Sequence, residues 1–110
     1  MALTVRVQPA DPKKPRSLRL TIAIPAKDLN LENADTQMDV IVAQHGADGR
    51  DLATFGDVVR VVTARSQTLL RDGLLVRREV PLQAGASSVR VVVFDRGSGR
   101  LGAVGFAAPK

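Results

Sequence analysis

Aliphatic residues return at every second position through most of this chain. Leu3, Val5 and Val7 alternate with Thr4, Arg6 and Gln8; Leu18, Leu20, Ile22 and Ile24 alternate with Arg19, Thr21 and Ala23. Met38, Val40 and Val42 repeat the pattern between Gln37 and Gln44. A period of two belongs to the β-strand, whose successive side chains point to opposite faces. Three half-buried strands are therefore predicted, with those aliphatic positions inward. Leu52 to Phe55 predicts a short fourth strand that Gly56-Asp57 breaks. Val58 to Thr63 resumes, with Val59 and Val61 inward and Arg60 outward. In Leu74 to Leu82 the rhythm turns Val76, Val80 and Leu82 inward and takes Arg78 with them. An inward arginine calls for a bulge or an edge strand, and Pro81 favours the edge.

The stretch Gly85 to Phe106 organises the fold. A β-branched run from Val89 to Phe94 meets Gly97-Ser98-Gly99, and a second apolar segment follows. Strand, tight reversal and strand predict a C-terminal β-hairpin over 88–107. With Val89, Val91 and Val93 inward, Val92 and Phe94 fall on the opposite face, where Val104 and Phe106 are expected to join them. A strand apolar on both faces predicts contact with another surface, a covering loop, or closure into a small barrel.

Turn signals separate these segments. Pro9, Pro12 and Pro15 predict a loop over 9–16, the polar residues after Ile24 predict another over 25–36, and Asp48-Gly49 marks a reversal. Residues 57–72 carry two rhythms. Val58, Val61, Val62, Leu69 and Leu70 fit a helical stripe between an Asp57 N-cap and a terminal Gly73. Four valines among the six residues 58–63 favour a strand, because branching at Cβ restricts χ1 in a helix. The segment divides into a strand over 58–63 and a short helical turn near 66–71. The whole, 1–110, predicts one all-β domain, an immunoglobulin/fibronectin-III-like β-sandwich of about seven strands.

Composition adds limits. The three aromatics are Phe55, Phe94 and Phe106, so the core must be aliphatic. The absence of cysteine excludes disulfides and thiolate chemistry. No apolar run is long enough for a membrane-spanning helix, and no basic-then-apolar leader is read. The net charge is +5, and the excess lies in residues 56–110, which carry nine Lys or Arg against four Asp or Glu. Arg60, Arg77 and Arg90, on outward strand positions, are candidate polyanion contacts. Nucleic acid is disfavoured, because single-strand binders stack bases on aromatic side chains and this chain has no Tyr or Trp.

Catalytic chemistry finds little footing. Gly97-Ser98-Gly99-Arg100-Leu101-Gly102 matches G-x-G-x-x-G, but a dinucleotide site needs a helix opening at those glycines, and the hairpin reading leaves no room for one. His45 is the only histidine; with Asp48 and Asp51 nearby it makes a poor metal site and reads as turn chemistry. Glu32 and Glu79 are too far apart in sequence to suggest an acid–base pair. The expectation is a non-enzymatic module with no cofactor and no metal.

The C-terminal half also resembles a known family. Val80-Pro81-Leu82-Gln83-Ala84-Gly85, then Val89-Arg90-Val91-Val92-Val93 with Asp95, then Ser98-Gly99-Arg100-Leu101-Gly102 and Pro109 are similar to the end of the exported bacterial von Willebrand factor A-related proteins. Leu69 to Leu74, with Arg71 and Gly73, extends the likeness to about residues 55–109. Ser87 or Ser88 stands where that family usually has Tyr, and Phe94 where it usually has a charge. The metal-binding Asp-x-Ser-x-Ser motif of the A-type domain is absent. The resemblance implies an immunoglobulin-like accessory sandwich following an A-type domain in an exported protein. Its expected partner is a protein or a neighbouring domain, and a homodimer is another use for the same apolar positions.

Overall fold

The computed structural model describes residues 3–11, 14–25, 36–61, 73–97 and 99–108. Among the described residues seven strands form: β1 (Thr4–Asp11), β2 (Lys14–Ile24), β3 (Thr36–Gly46), β4 (Asp51–Val61), β5 (Leu74–Pro81), β6 (Ala86–Asp95) and β7 (Leu101–Ala107). They make two antiparallel sheets, ordered β1-β2-β5 and β4-β3-β6-β7. Three strands facing four, with the fourth beside the third, is the order of a fibronectin-III-like sandwich. No helix occurs among the described residues.

The core follows the alternation. Leu18, Leu20, Ile22 and Ile24 of β2 and Val76 and Val80 of β5 meet Met38, Val40 and Val42 of β3 and Val89, Val91 and Val93 of β6. Each is at most 5% exposed, so β2, β3, β5 and β6 supply an aliphatic core without a buried aromatic. Burying one such side chain contributes roughly 1.5–3 kcal/mol relative to leaving it in water. Leu3, Val5, Val7, Phe55, Val59 and Phe106 seal the margins.

Three expectations need correction. Residues 9–11 and 14–16, expected in a loop, belong to strands: β1 runs to Asp11 and β2 starts at Lys14. Pro9 and Pro15 are tolerated because β1 is an edge strand whose register shifts between Pro9 and Asp11, and Pro15 lies past the last β2–β5 pair, Ser17–Pro81. Gly56-Asp57 does not break a strand, since Gly56 pairs with Ile41 and Asp57 with Val40 inside a continuous β4. β3 likewise runs on through His45 to Gly46. The helical turn expected near 66–71 lies outside the described residues, as does most of the loop expected over 25–36.

Arg78 does sit on an edge, with β5 in unbroken register on β2 and Arg78 opposite Leu20. Its Nε lies 2.6 Å from Asp57 Oδ2 on β4, the edge of the facing sheet, and its Nη1 donates to the Arg77 carbonyl at 2.7 Å. The Nε–H is not aimed along the line to Asp57, so the contact is a charge pair rather than a hydrogen bond. The guanidinium closes the open side of the sandwich where two edge strands face each other.

Candidate functional site

Register decides which side chains share a surface. On β6 the positions that alternate with the buried Val89, Val91, Val93 and Asp95 are Arg90, Val92 and Phe94, and the partners across each ladder extend three rows over the outer face of the four-stranded sheet. One row is Val58, Asp39, Phe94 and Leu101; the next is Gly56, Ile41, Val92 and Ala103; the third is Thr54, Ala43, Arg90 and Gly105. The first two rows are apolar except for Asp39. Val58 is 46% exposed and Leu101 57%, while Ile41, Val92 and Phe94 are half-buried by their neighbours.

The single acid in those rows is neutralised from the end of the sheet. Arg96 donates from Nε to Asp39 Oδ2 at 3.0 Å and from Nη2 to Asp39 Oδ1 at 2.7 Å, a two-pronged pair. Its Nη1 donates to Gln37 Oε1, and its backbone N–H to the Gln37 carbonyl, both at 3.0 Å. The hydrogen bonds from Arg96 hold the Asp39 carboxyl below its ordinary range; burial opposes this, and the guanidinium charge adds to it. Arg96 is held in place by the turn after β6, where fully buried Asp95 accepts the Gly97 N–H on Oδ1 at 3.0 Å.

Val92 and Phe94 lie where the alternation puts them, on the outer face. Val104 and Phe106 do not join them. Val104 pairs with Val91 and Phe106 with Val89, so both turn to the inner side of the sheet, where Phe106 packs on the core. The outer rows are completed on β7 by Leu101 and Ala103, and on β3 and β4 by Ile41 and Val58, residues that sequence reading left out. Only the strand pairing, which fixes cross-strand neighbours, could have found them.

The candidate polyanion contacts are split between two surfaces. Arg60 and Arg90 are exposed on the four-stranded sheet, whereas Arg77 lies on the outer face of the three-stranded one. There Arg77 and Arg6 flank Thr21 in one cross-strand row, and Gln8, Arg19 and Glu79 form the next. Arg19 Nη2 pairs with Glu79 Oε1 at 3.0 Å. Together with Thr4, Ala23 and Leu75 these residues line a shallow groove of about 700 Å³.

His45 stands at the bulge that ends β3, with Nε2 2.8 Å from Asp51 Oδ1 at the start of β4. The reversal between them is built by Asp48, whose Oδ1 accepts the Arg50 N–H, and by Gly49 at φ 82°, a conformation costly for other residues. Among the described residues no three metal-ligating side chains converge. The G-x-G-x-x-G segment is the β6–β7 turn, and β7 begins at Leu101 within it. Compared with known protein families, curated proteins and solved structures, the chain has no match.

Proposed function

We propose that this chain is a non-catalytic β-sandwich module that docks by the outer face of its four-stranded sheet against a protein surface, in the first place a neighbouring domain of an exported bacterial protein. One observation carries the reading: two adjoining rows, from Val58 to Leu101 and from Ile41 to Ala103, present apolar side chains to solvent with their one acid already paired. Sheet faces turned to water ordinarily alternate to polar residues, and a contiguous apolar patch marks a contact surface. The resemblance of the C-terminal half to the accessory sandwich of the von Willebrand factor A-related proteins supports both the neighbour and the exported setting. Hydroxyl-radical footprinting tests it. Phe94 and Leu101 should react readily in the isolated chain and be protected in the full-length gene product. Equal reactivity in both overturns the reading.

A second reading is polyanion binding, now through the three-stranded sheet rather than the arginines of the C-terminal half as a set. Arg6 and Arg77 form no ion pair with a described residue and stand on either side of Thr21 over the groove. Affinity for a sulfated polysaccharide that falls steeply with salt, and falls again in Arg77→Gln, supports this reading. Salt-insensitive or absent binding removes it.

A further inference from the structure

We infer that the free edge of β7 pairs with the same edge of a second copy of this chain. The ladder shows which groups that edge offers. At one end of the hairpin the Asp95 N–H donates to the Arg100 carbonyl, and at the other the Ala108 N–H donates to the Ser87 carbonyl, both at 2.9 Å. Hydrogen-bonded pairs recur every second residue along an antiparallel ladder. The unbroken register between those ends makes Val89–Phe106, Val91–Val104 and Val93–Gly102 the bonded pairs. Ala103, Gly105 and Ala107 therefore turn their N–H and C=O groups away from β6, and among the described strands β6 is the only one paired with β7.

The other three edges are guarded and this one is not. Proteins protect edges with charge, proline or bulges. β1 carries Arg6, Pro9 and a register shift; β4 carries Asp51, Asp57 and Arg60; β5 carries Arg77, Arg78, Glu79 and Pro81. From Leu101 to Ala107, β7 has no charge, no proline and no shift.

The same neutrality selects the occupant. In a two-fold antiparallel pairing the residue on the axis faces its own copy and the others face copies of near neighbours, so a charge at the axis would face its like and charges beside it would be brought close together. Centred on Gly105, the pairing sets Gly105 against Gly105 and Ala103 against Ala107 on the outer face. On the inner face it sets Val104 against Phe106, a β-branched–aromatic pair of the kind that stabilises sheets. Both of those side chains are only half-buried in the single chain. The product is one continuous eight-stranded sheet.

The inference stands apart from the docking face, and the experiment separates the two. Sedimentation of the wild-type chain should show a dimer. Gly105→Asp, which sets two carboxylates face to face at the axis, should weaken it at least tenfold with the strand content unchanged by circular dichroism. Phe94→Thr should leave the dimer intact. Hydrogen exchange gives a readout that needs no variant: the amides of Ala103, Gly105 and Ala107 should be protected at high concentration and lose that protection on dilution. A wild-type monomer, a dimer untouched by Gly105→Asp, or a dimer lost in Phe94→Thr overturns the inference.

Discussion

Gln44 of β3 reaches across the sandwich and donates from Nε2 to the carbonyl oxygen of Pro81, 2.8 Å away at the end of β5. Its Oε1 accepts the Gln83 N–H at 2.9 Å, and the side chain is fully buried. One amide thereby ties the two sheets together at the point where β5 leaves for β6. Gln44→Leu keeps the volume but removes both partners, leaving a carbonyl and an N–H without their hydrogen bonds. Urea unfolding should show a loss of about 1–3 kcal/mol. Gln44→Glu should be worse near neutral pH, where a buried carboxylate can no longer donate, and should recover as acid protonates it. A neutral Gln44→Leu would show that the clamp adds nothing.

That clamp also shows where the alternation could be read and where it misled. Met38, Val40 and Val42 placed the inner face of β3 correctly, and Gln44 continues the same parity. A polar residue at the next inward position reads as the end of a strand, because only its partners in another element excuse its burial. Pairing partners explain the other misreadings as well. Gly56 and Asp57 are poor strand formers alone, yet β3 carries them through. Val104 and Phe106 turn inward rather than joining Val92 and Phe94, because parity across a hairpin depends on loop length. With Asp95 bonded to Arg100, each odd residue of β6 faces an even residue of β7. A loop one residue shorter would have reversed the sides. The outer apolar surface was thus half legible: Val92 and Phe94 follow from period two, but Ile41, Val58 and Leu101 enter only through register.

The Asp39–Arg96 pair should give stability a marked dependence on acid. Asp39 titrates lower in the folded chain than in the unfolded one. Its contribution is therefore complete above the unfolded value, near 3.9, and fades as pH falls through the lower folded value. Arg96→Gln should be less stable than wild type at about pH 6, and the two curves should draw together as pH falls below the ordinary carboxylate range and through the lower folded value. Added salt should narrow the gap, since the pair is partly open to solvent. A gap that stays constant across that range would mean that the Arg96 side chain acts through its Nη1 hydrogen bond to Gln37 Oε1 rather than through Asp39.

Gly56 offers a stabilising change. It lies in mid-β4 on the outer face, opposite Ile41, with no atom near the place a Cβ would occupy and no positive φ. Glycine there costs unfolded-chain entropy without a conformational return. Gly56→Thr should add about 0.5–1 kcal/mol by restricting the unfolded chain and giving Ile41 a cross-strand neighbour. A fall in the urea midpoint would mean that β4 needs the glycine for its bend.

Phe94 and Phe106 are the sharpest contrast for function, because one hairpin presents them on opposite faces. Phe106 sits on the β7 side opposite Val89 and packs on the core, so Phe106→Ala should cost about 1–3 kcal/mol, less than a fully enclosed ring because it is only half-buried. Phe94 packs only among the outer rows, and Phe94→Thr should change stability by less than about 1 kcal/mol. Threonine is preferred to aspartate here, since Asp39 lies directly opposite and a second carboxylate would add repulsion of its own. In the full-length gene product the order should invert. An aromatic anchor at the centre of an interface contributes about 2 kcal/mol or more, so Phe94→Thr should expose Leu101 to hydroxyl radicals, whereas Phe106→Ala, once folded, should leave Leu101 protected. If Phe94→Thr unfolds the isolated chain, the ring belongs to the fold, and the outer rows are structure rather than contact.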